Sequence, residues 1–435
     1  MSRNKKIVLI FGPICFSLLL VVLVFLSGIT IGISNSEKEF QSTARNTKQV
    51  TGVNIRKNIL QDEKYVPVYS SSEMAIFDEF HPSVLAEKYD RDYRLLIAGK
   101  DAQGSLTHFL EINSTQNEHK NKKIILIISP NSFGNVGGIS NKYYGRYHSP
   151  LQIYSWLDSL VSVSDRDVYI AKRLLSYDLV MQDSTIKLIL ENIAYNKKIS
   201  SKDKLVSKLH KNVLLSQDSL YSLVEENRFN SMNLDESDTV KGMNNFEYAR
   251  KFKMKKLPAQ DDYDALMNLA YEIGEEEGSN NPFGFFDDKF KRDIGKKLPT
   301  YKNSRANYQY TKSQEYSDYE LLLSEVARLN MDPLIIIDQN QKKWNDYTGI
   351  TSDEQTNVIK KLEYQLKKQG FNNYHITKNT YPFGYVDGAH VGRQGWVELD
   401  QIIKEFMARD YKAPEVKIDD YFFSKEWQMF DPSSN

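Results

Sequence analysis

No charged residue stands between Lys6 and Glu37, and from Ile7 to Ile33 the chain is almost continuously apolar. A helix rises about 1.5 Å per residue, so about 20 such residues cross a hydrocarbon core about 30 Å thick. The run exceeds the roughly 7–15-residue apolar stretch of a secretion signal, although Ser27-Gly28 offers small residues to a peptidase. Its length favours an uncleaved transmembrane anchor over residues 7–34; a cleaved signal and a buried soluble helix are the alternatives. Pro13 stands near the start, where it begins or kinks the helix. Arg3, Lys5 and Lys6 precede the run, while Glu37, Lys38 and Glu39 follow it. A positive flank stays in the cytoplasm, which leaves residues 1–6 inside as a tail and puts the rest outside. The expectation is a single-pass protein of the cell membrane with an extracytoplasmic C-terminal domain. Cys15 falls inside the run and reads as a small apolar packing residue; a lipoprotein cysteine would stand at the end of the run.

At about 150 residues per domain, the 435 residues suggest two or three domains. Lys plus Arg and Asp plus Glu each number 57, so the formal net charge is zero. Nucleic acid is therefore not an expected partner, because neutralising phosphates needs a basic surplus. Charged residues at 26% and apolar ones at 40% exclude overall disorder and a multi-pass transporter. One cysteine excludes an intrachain disulfide framework and a Cys-rich metal site. His81, His108, His119, His148, His210 and His375 show no metal-ligand spacing, and no phosphate-cradling Gly-x-x-x-x-Gly-Lys motif is present. No metal and no cofactor are expected.

Residues 35–65 are polar and mixed in charge and read as a linker or stalk helix. Strand and helix signals then alternate. Val66–Tyr69, Tyr93–Ala98 and Lys123–Ile128 are strand candidates, with a helix from about Gln103 to Ile112. The third strand is nearly all apolar, as a parallel strand buried on both faces should be. These make residues 66–154 the first part of a domain. Residues 155–301 carry Leu, Ile and Tyr at helical spacing in long polar segments and read as a mostly helical insertion. Residues 302–435 return to the first texture. Ser317 to Glu320 has capping-box spacing, Pro333 is expected to break that helix, and Leu334–Ile337 is a fourth strand. Ser352 to Gln355 reads as a second box, with Gly370 as the C-cap. Tyr374–Ile376 is a weak fifth strand, Trp396 to Phe406 marks a last amphipathic helix, and the tail from Lys412 is expected to wrap the surface. The pattern predicts an α/β domain with a largely parallel sheet covered on both faces.

Reactive groups in such sheets sit beyond the carboxyl ends of the strands. Ser70-Ser71-Ser72-Glu73 follows the first strand. A serine there exposes its hydroxyl beside backbone N–H groups that hold an oxyanion, or else caps a helix. Asp387-Gly388-Ala389-His390 lies before the last helix. An Asp three residues ahead of a His can fix its tautomer and free the other nitrogen as a base; the alternatives are a turn Asp and a structural His. Asp338-Gln339-Asn340 follows the fourth strand as a rim or a plain loop. Tyr143, Tyr144 and Tyr147 are an aromatic wall or core packing.

Ser71-Ser72-Glu73 and Asp387-Gly388-Ala389-His390, with Gly392 and Gly395-Trp396, resemble the DltD family, the D-alanyl-lipoteichoic acid biosynthesis proteins of Gram-positive bacteria. The blocks His81 to Tyr89, Ile128-Ser129-Pro130 with Phe133, Ser149 to Gln152 and Phe422 to Trp427 fit as well, in the same order along the chain. The resemblance implies an SGNH/GDSL-hydrolase-like fold and Ser72 as nucleophile, with His390 as base and Asp387 as its orienter. Ser71 falls where related hydrolases carry Asp. The expected oxyanion donors are Asn131 and Ala102. The chain departs from the family at Ser70 and Ala102, where Gly is expected, and at Asn131-Ser132, where Gln-Trp is usual.

What the resemblance implies is D-alanyl transfer onto lipoteichoic acid at the outer membrane face through an acyl-enzyme. The partners would be a D-alanyl donor (a carrier protein or an acylated membrane peptide), lipoteichoic acid and a membrane O-acyltransferase of the same pathway. Two alternatives stand beside it. One is a D-alanyl esterase or thioesterase using the same triad; the other is a non-catalytic scaffold docking carrier and acyltransferase, which Ser70 and Ala102 favour.

Overall fold

The computed structural model describes residues 3–44, 47–134, 136–230 and 246–432. Parts of five expected segments, at residues 1–2, 45–46, 135, 231–245 and 433–435, lie outside the described residues. Helix α1 (Arg3–Ser27) holds the apolar run as far as Ser27, and from Leu9 to Ser27 it is long and apolar enough to cross a membrane and is not buried by the rest of the protein; the end of the run leaves the helix, and Ile33 packs with Ile55 and Leu96.

Five strands form one parallel sheet: β1 (Tyr65–Tyr69), β2 (Arg94–Ala98), β3 (Lys123–Ile128), β4 (Asp332–Ile337) and β5 (Tyr374–Ile376), in the order β2-β1-β3-β4-β5. The fold class expected from the alternating pattern is the one observed. Between β1 and β3 the winding reverses, and the crevice for a ligand opens at such a switch point. Four further helices bear on the sheet or on α1: α2 (Ser105–Ser114), α3 (Ser201–Asn230), α4 (Glu315–Arg328) and α5 (Ser352–Gln369). Another, α6 (Arg393–Ala408), covers one face of the sheet.

Side chains alternate across a strand, and both faces of this sheet are apolar. Val66, Val68, Ile125, Ile127, Leu334 and Ile336 pack under Trp396, Leu399 and Ile403 of α6. Ile124, Leu126, Ile335 and Ile337 pack under α4 and α5, against Leu322, Val326, Leu362 and Leu366. Between β3 and β4 the described residues carry helices and no strand. Trp156, Leu157, Ile170 and Ile189 form a core there that joins the body through Leu106 and Phe109 of α2.

Several local expectations are corrected. Helix α4 begins at Glu315, so Ser317 and Glu320 lie inside it, fully buried, rather than forming a cap. The Ser317 hydroxyl donates to Phe422 O, and Glu320 accepts from Gln365 and Gln369; tertiary partners claimed the pair. The second box uses Thr351 with Glu354, one residue earlier than Ser352, and Gly370 ends α5 at φ +93° as expected. Pro333 does not break a helix. That helix ends at Arg328, and Pro333 sits in β4 opposite Ile124, where its missing N–H is tolerated because β5 pairs only from Ile335 onward. Residues 35–65 do not stand away as a stalk: Ile55, Ile59 and Leu60 pack on Tyr65 and Leu96, and buried Arg56 donates to Gln49 O, Val50 O and Glu111 O. The C-terminal tail does more than wrap the surface. Phe422 and Trp427 are fully buried, and beneath them Lys361 Nζ donates to Thr311 O, Trp427 O and Phe430 O. Burial pulls the Lys361 pKa down to about 7.

Candidate active site

The serine block begins where β1 stops. Ser70 is buried, and its N–H donates to Ala98 O and prolongs the ladder with β2. Opposite it stands Gly99, where a Cβ would fall 2.4 Å from Ser70 O, so the two turns approach as only glycine allows. Ser71 N–H donates to Glu73 Oε2 at 2.7 Å, and Ser71 Oγ donates to Lys100 O at 3.3 Å. Ser72 takes the N-cap position of the short 3-10 turn Glu73–Ala75, yet its side chain makes no capping bond. Its hydroxyl has no hydrogen-bond partner among the described residues. The side chain lines a cavity of about 410 Å³ with Ala102, Gln103, Asn131, Arg305 and Glu315.

The second block is a tight loop closed by the Val386 N–H to His390 O bond of 2.9 Å. Asp387 Oδ1 accepts from the backbone N–H of Ala389 and of His390, each at 3.0 Å. Both carboxylate oxygens lie 2.8 Å from His390 Nδ1. Gly388 is required because a Cβ there would lie 2.1 Å from Trp344 Nε1. With Nδ1–H given to Asp387, Nε2 is the ring nitrogen left for chemistry. Ala389, between the two, lines the same cavity as Ser72. No direct hydrogen bond joins Ser72 and His390.

Charge at this site is set by few groups. Lys289, from the long segment between β3 and β4, places Nζ 3.2 Å from Asp387 Oδ2. Burial alone would raise the Asp387 carboxyl, but the His390 hydrogen bond, the His390 charge and Lys289 together hold it well below the carboxylate range. Burial opposes charge on His390, and the Asp387 bond and charge, aided by Glu73, outweigh it, so the imidazole is held above its ordinary value. Behind the serine block, Glu73 is pushed up by burial against the weaker pull of backbone N–H groups and His390. Asp338 is raised by burial and then by the Glu73 charge.

The expected oxyanion groups share the cavity wall in different states. Asn131 is the second residue of the 3-10 turn Pro130–Phe133 after β3; its Nδ2 donates to Asn340 Oδ1 at 2.7 Å, and its Oδ1 accepts from Arg305 Nη1 at 3.1 Å. One of the two amide hydrogens remains for a ligand. Ala102 holds φ +56°, the left-handed region that favours glycine, and its N–H enters no backbone bond among the described residues. Of the three tyrosines, Tyr143 lines the cavity, whereas Tyr144 stacks on Tyr177 at 3.8 Å and Tyr147 is buried. Asn340 reaches the site through Asn131. His81 is a buried cap whose Nδ1 accepts from Ser83 N–H, and His119 meets the Tyr69 hydroxyl at 3.0 Å in the core.

Sequence reasoning gave no role to Lys289, Arg305 or Glu315. Glu315 Oε1 accepts from Ser105 N–H at 2.7 Å at the start of α2, and burial, with the nearby Asp318 charge, raises its carboxyl above the ordinary range. No local pattern marks any of the three, since each meets its partner from a distant part of the chain.

Compared with known proteins, the chain matches one family, described as DltD protein, over residues 42–408. A protein DltD of Lacticaseibacillus rhamnosus is 33% identical over 424 residues, covering 96% of this chain and 95% of that one. Proteins DltD of Bacillus subtilis (strain 168) and Staphylococcus aureus (strain NCTC 8325 / PS 47) are each 25% identical, covering 93% and 94% of this chain and 98% and 97% of theirs.

Proposed function

This chain belongs to the DltD family, and on that premise we propose that it moves D-alanine onto lipoteichoic acid at the outer face of the cell membrane, through an ester on Ser72. The observation that carries the reading is the Asp387–His390 pair, bonded at 2.8 Å, on the loop whose Ala389 lines the cavity of an unbonded Ser72 hydroxyl.

His390 Nε2 takes the Ser72 proton as Oγ attacks the carbonyl carbon of a D-alanyl thioester or ester. The tetrahedral oxyanion draws on Ala102 N–H and the second Asn131 amide hydrogen. As it collapses, the bond to the donor breaks and the donor leaves as a thiol or alcohol carrying the proton from His390. A polyol hydroxyl of the polymer then attacks the Ser72 ester, gives its proton to His390, and Ser72 Oγ regains one as it leaves. Asp387 orients the ring and stabilises the imidazolium without taking its proton. Catalytic bonds absent in the free enzyme form once substrate is bound, which accounts for the open gap between Ser72 and His390.

The donor is a carrier protein or acylated membrane peptide, and a membrane O-acyltransferase is the expected neighbour. Residues beyond α1 face outward, residues 7–34 are an uncleaved anchor, and residues 66–154 with 302–435 form one SGNH-like domain around the 155–301 insertion. The test incubates the full-length protein in vesicles with labelled D-alanyl donor and lipoteichoic acid, followed by mass spectrometry. An adduct of about 71 Da on Ser72, one alanyl group, that chases to polymer is expected. Release of free D-alanine alone identifies a hydrolase, and no adduct in any arm identifies a scaffold.

A further inference from the structure

Helix α3 is 30 residues long and meets the membrane end of the molecule. Asn212 Nδ2 donates to Leu26 O, the Ser216 hydroxyl to Val24 O and Phe25 O, and the Ser219 hydroxyl to Ile29 O. The Ser216 hydroxyl also accepts from Ile29 N–H at 3.1 Å, so the polar bonds of α3 gather on residues 24–29, a crossing at the exit of α1. Gly28, at φ +67°, permits the crossing: a Cβ there would lie 2.8 Å from Asn212 Oδ1.

The face of α3 that makes the crossing continues beyond it on both sides. Leu205, Leu209, Asn212, Ser216, Ser219, Leu220 and Leu223 recur at the three- and four-residue steps that keep side chains on one stripe. In the middle of the stripe the residues are polar and bond the backbone at the exit of α1. On either side they are leucines, 38–58% exposed. The opposite face is committed to the body: Asp218 accepts from Val53 and Asn54 N–H, Lys211 pairs with Asp158, and Leu214 joins the core around Trp156. Lys202 and Lys208, both exposed, adjoin the leucine stripe near its N-terminal end.

We infer that α3 lies in the outer-leaflet interface, its leucine stripe in the acyl boundary and Lys202 and Lys208 at anionic headgroups. The inference rests on the reading of α1 as a retained anchor. Where α1 enters the bilayer, the face of α3 turned to α1 is turned to lipid, and the stripe is continuous with the surface of the span. Amphipathic helices with this division bind interfaces through buried apolar area plus attraction of basic residues to anionic lipid. A second contact besides the single span fixes the tilt of the outer domain, which one anchor helix alone leaves free.

The test uses the full-length protein with Cys15→Ser, which leaves no other cysteine, and single Leu205→Cys, Leu209→Cys, Leu220→Cys, Leu223→Cys, Leu18→Cys or Lys368→Cys changes carrying an environment-sensitive fluorophore. Each is reconstituted in phosphatidylglycerol–phosphatidylcholine vesicles with nitroxide lipids labelled near the headgroup or deep in the acyl chain. The four α3 labels should lose emission by about twofold or more to the shallow nitroxide, as interfacial burial requires. Leu18→Cys should respond to the deep nitroxide and Lys368→Cys to neither. Quenching at Leu18→Cys with none at the α3 positions overturns the inference and leaves the anchor standing. Absence of quenching at Leu18→Cys as well overturns the anchor reading and the inference with it. Deep quenching of the α3 labels equal to that at Leu18→Cys also overturns it, because α3 would then lie within the bilayer core.

Discussion

The two ends of the one sheet treat buried charge in opposite ways. At the amino ends of the strands, Asp332 accepts from both Arg409 Nη atoms at 2.7 Å and from Lys412 N–H at 2.8 Å. Lys123 Nζ donates to Phe406 O and Met407 O, each at 3.1 Å. At the carboxyl ends, burial holds the Glu73 and Asp338 carboxyls up and the Glu73 charge raises Asp338 further. Ser72 keeps an unbonded hydroxyl there, and Ala102 holds a left-handed backbone. The Asp332 and Lys123 charges at the amino ends are paired, since leaving a buried charge unpaired costs free energy. The raised Glu73 and Asp338 carboxyls, the unbonded Ser72 hydroxyl and the left-handed Ala102 stand together at the carboxyl ends, the pattern expected of a functional site.

Mutations at the two ends should therefore separate activity from stability, and the widest separation comes from the proposed triad. Ser72→Ala, or His390→Ala, should reduce labelling of the protein by an activated-serine probe by on the order of 10³-fold or more, with an unchanged thermal midpoint. Persistent labelling in both variants would remove Ser72 as nucleophile and erase the functional half of the contrast.

Asp387→Asn should cost less than His390→Ala and should also move the pH profile. His390 must be neutral to act as base, so activity falls as pH drops through its pKa. Asp387 holds that pKa up, so its loss should move the acidic limb to lower pH. A limb that stays in place would mean that another group titrates.

Arg409→Ala probes the other end. The pair with Asp332 is partly exposed on the arginine side, so the expected cost is about 1–3 kcal/mol, below the range for a fully buried pair. Denaturant unfolding should show it, while probe labelling stays within about twofold of the parent, since no bond of the site is touched.

Lys289→Met is a smaller perturbation with the opposite sign to Asp387→Asn. Lys289 lowers the His390 pKa, so its removal should move the acidic limb upward, with a loss of less than about tenfold near neutral pH. An unshifted profile would mean that Lys289 is only a surface cation.

Ala102→Gly is the mildest. A left-handed alanine costs about 1–2 kcal/mol, and glycine gives part of that back through the entropy of the unfolded chain. Net stabilisation below about 1 kcal/mol is expected from denaturant midpoints. A destabilised variant would show that the Ala102 methyl packs usefully.

Local order was largely legible in the chain. The apolar run, the five strands and the Gly370 cap each follow from neighbouring residues, because hydrogen-bond period and side-chain alternation are local. The Asp387–His390 pairing was legible for the same reason: a spacing of three residues within one loop carries it. Registers of one or two residues were not. Ser317 and Glu320 had the spacing of a cap but were taken by Phe422, Gln365 and Gln369, and Pro333 entered β4 because the neighbouring strand begins only at Ile335.

By itself, then, the sequence determined an apolar helix long enough to cross a membrane, a parallel α/β domain after it, and the two short blocks that carry the proposed nucleophile and base. Only the tertiary structure decided that Ser72 caps nothing, that Asn340 and Arg305 hold the Asn131 amide, that Lys289 stands beside Asp387, and that the leucines of α3 share a face with the exit of α1. The physical reason is range. Periodicity and capping act between residues a few positions apart, whereas desolvation and the Coulomb field at a site depend on which distant segments the fold brings within a few ångströms.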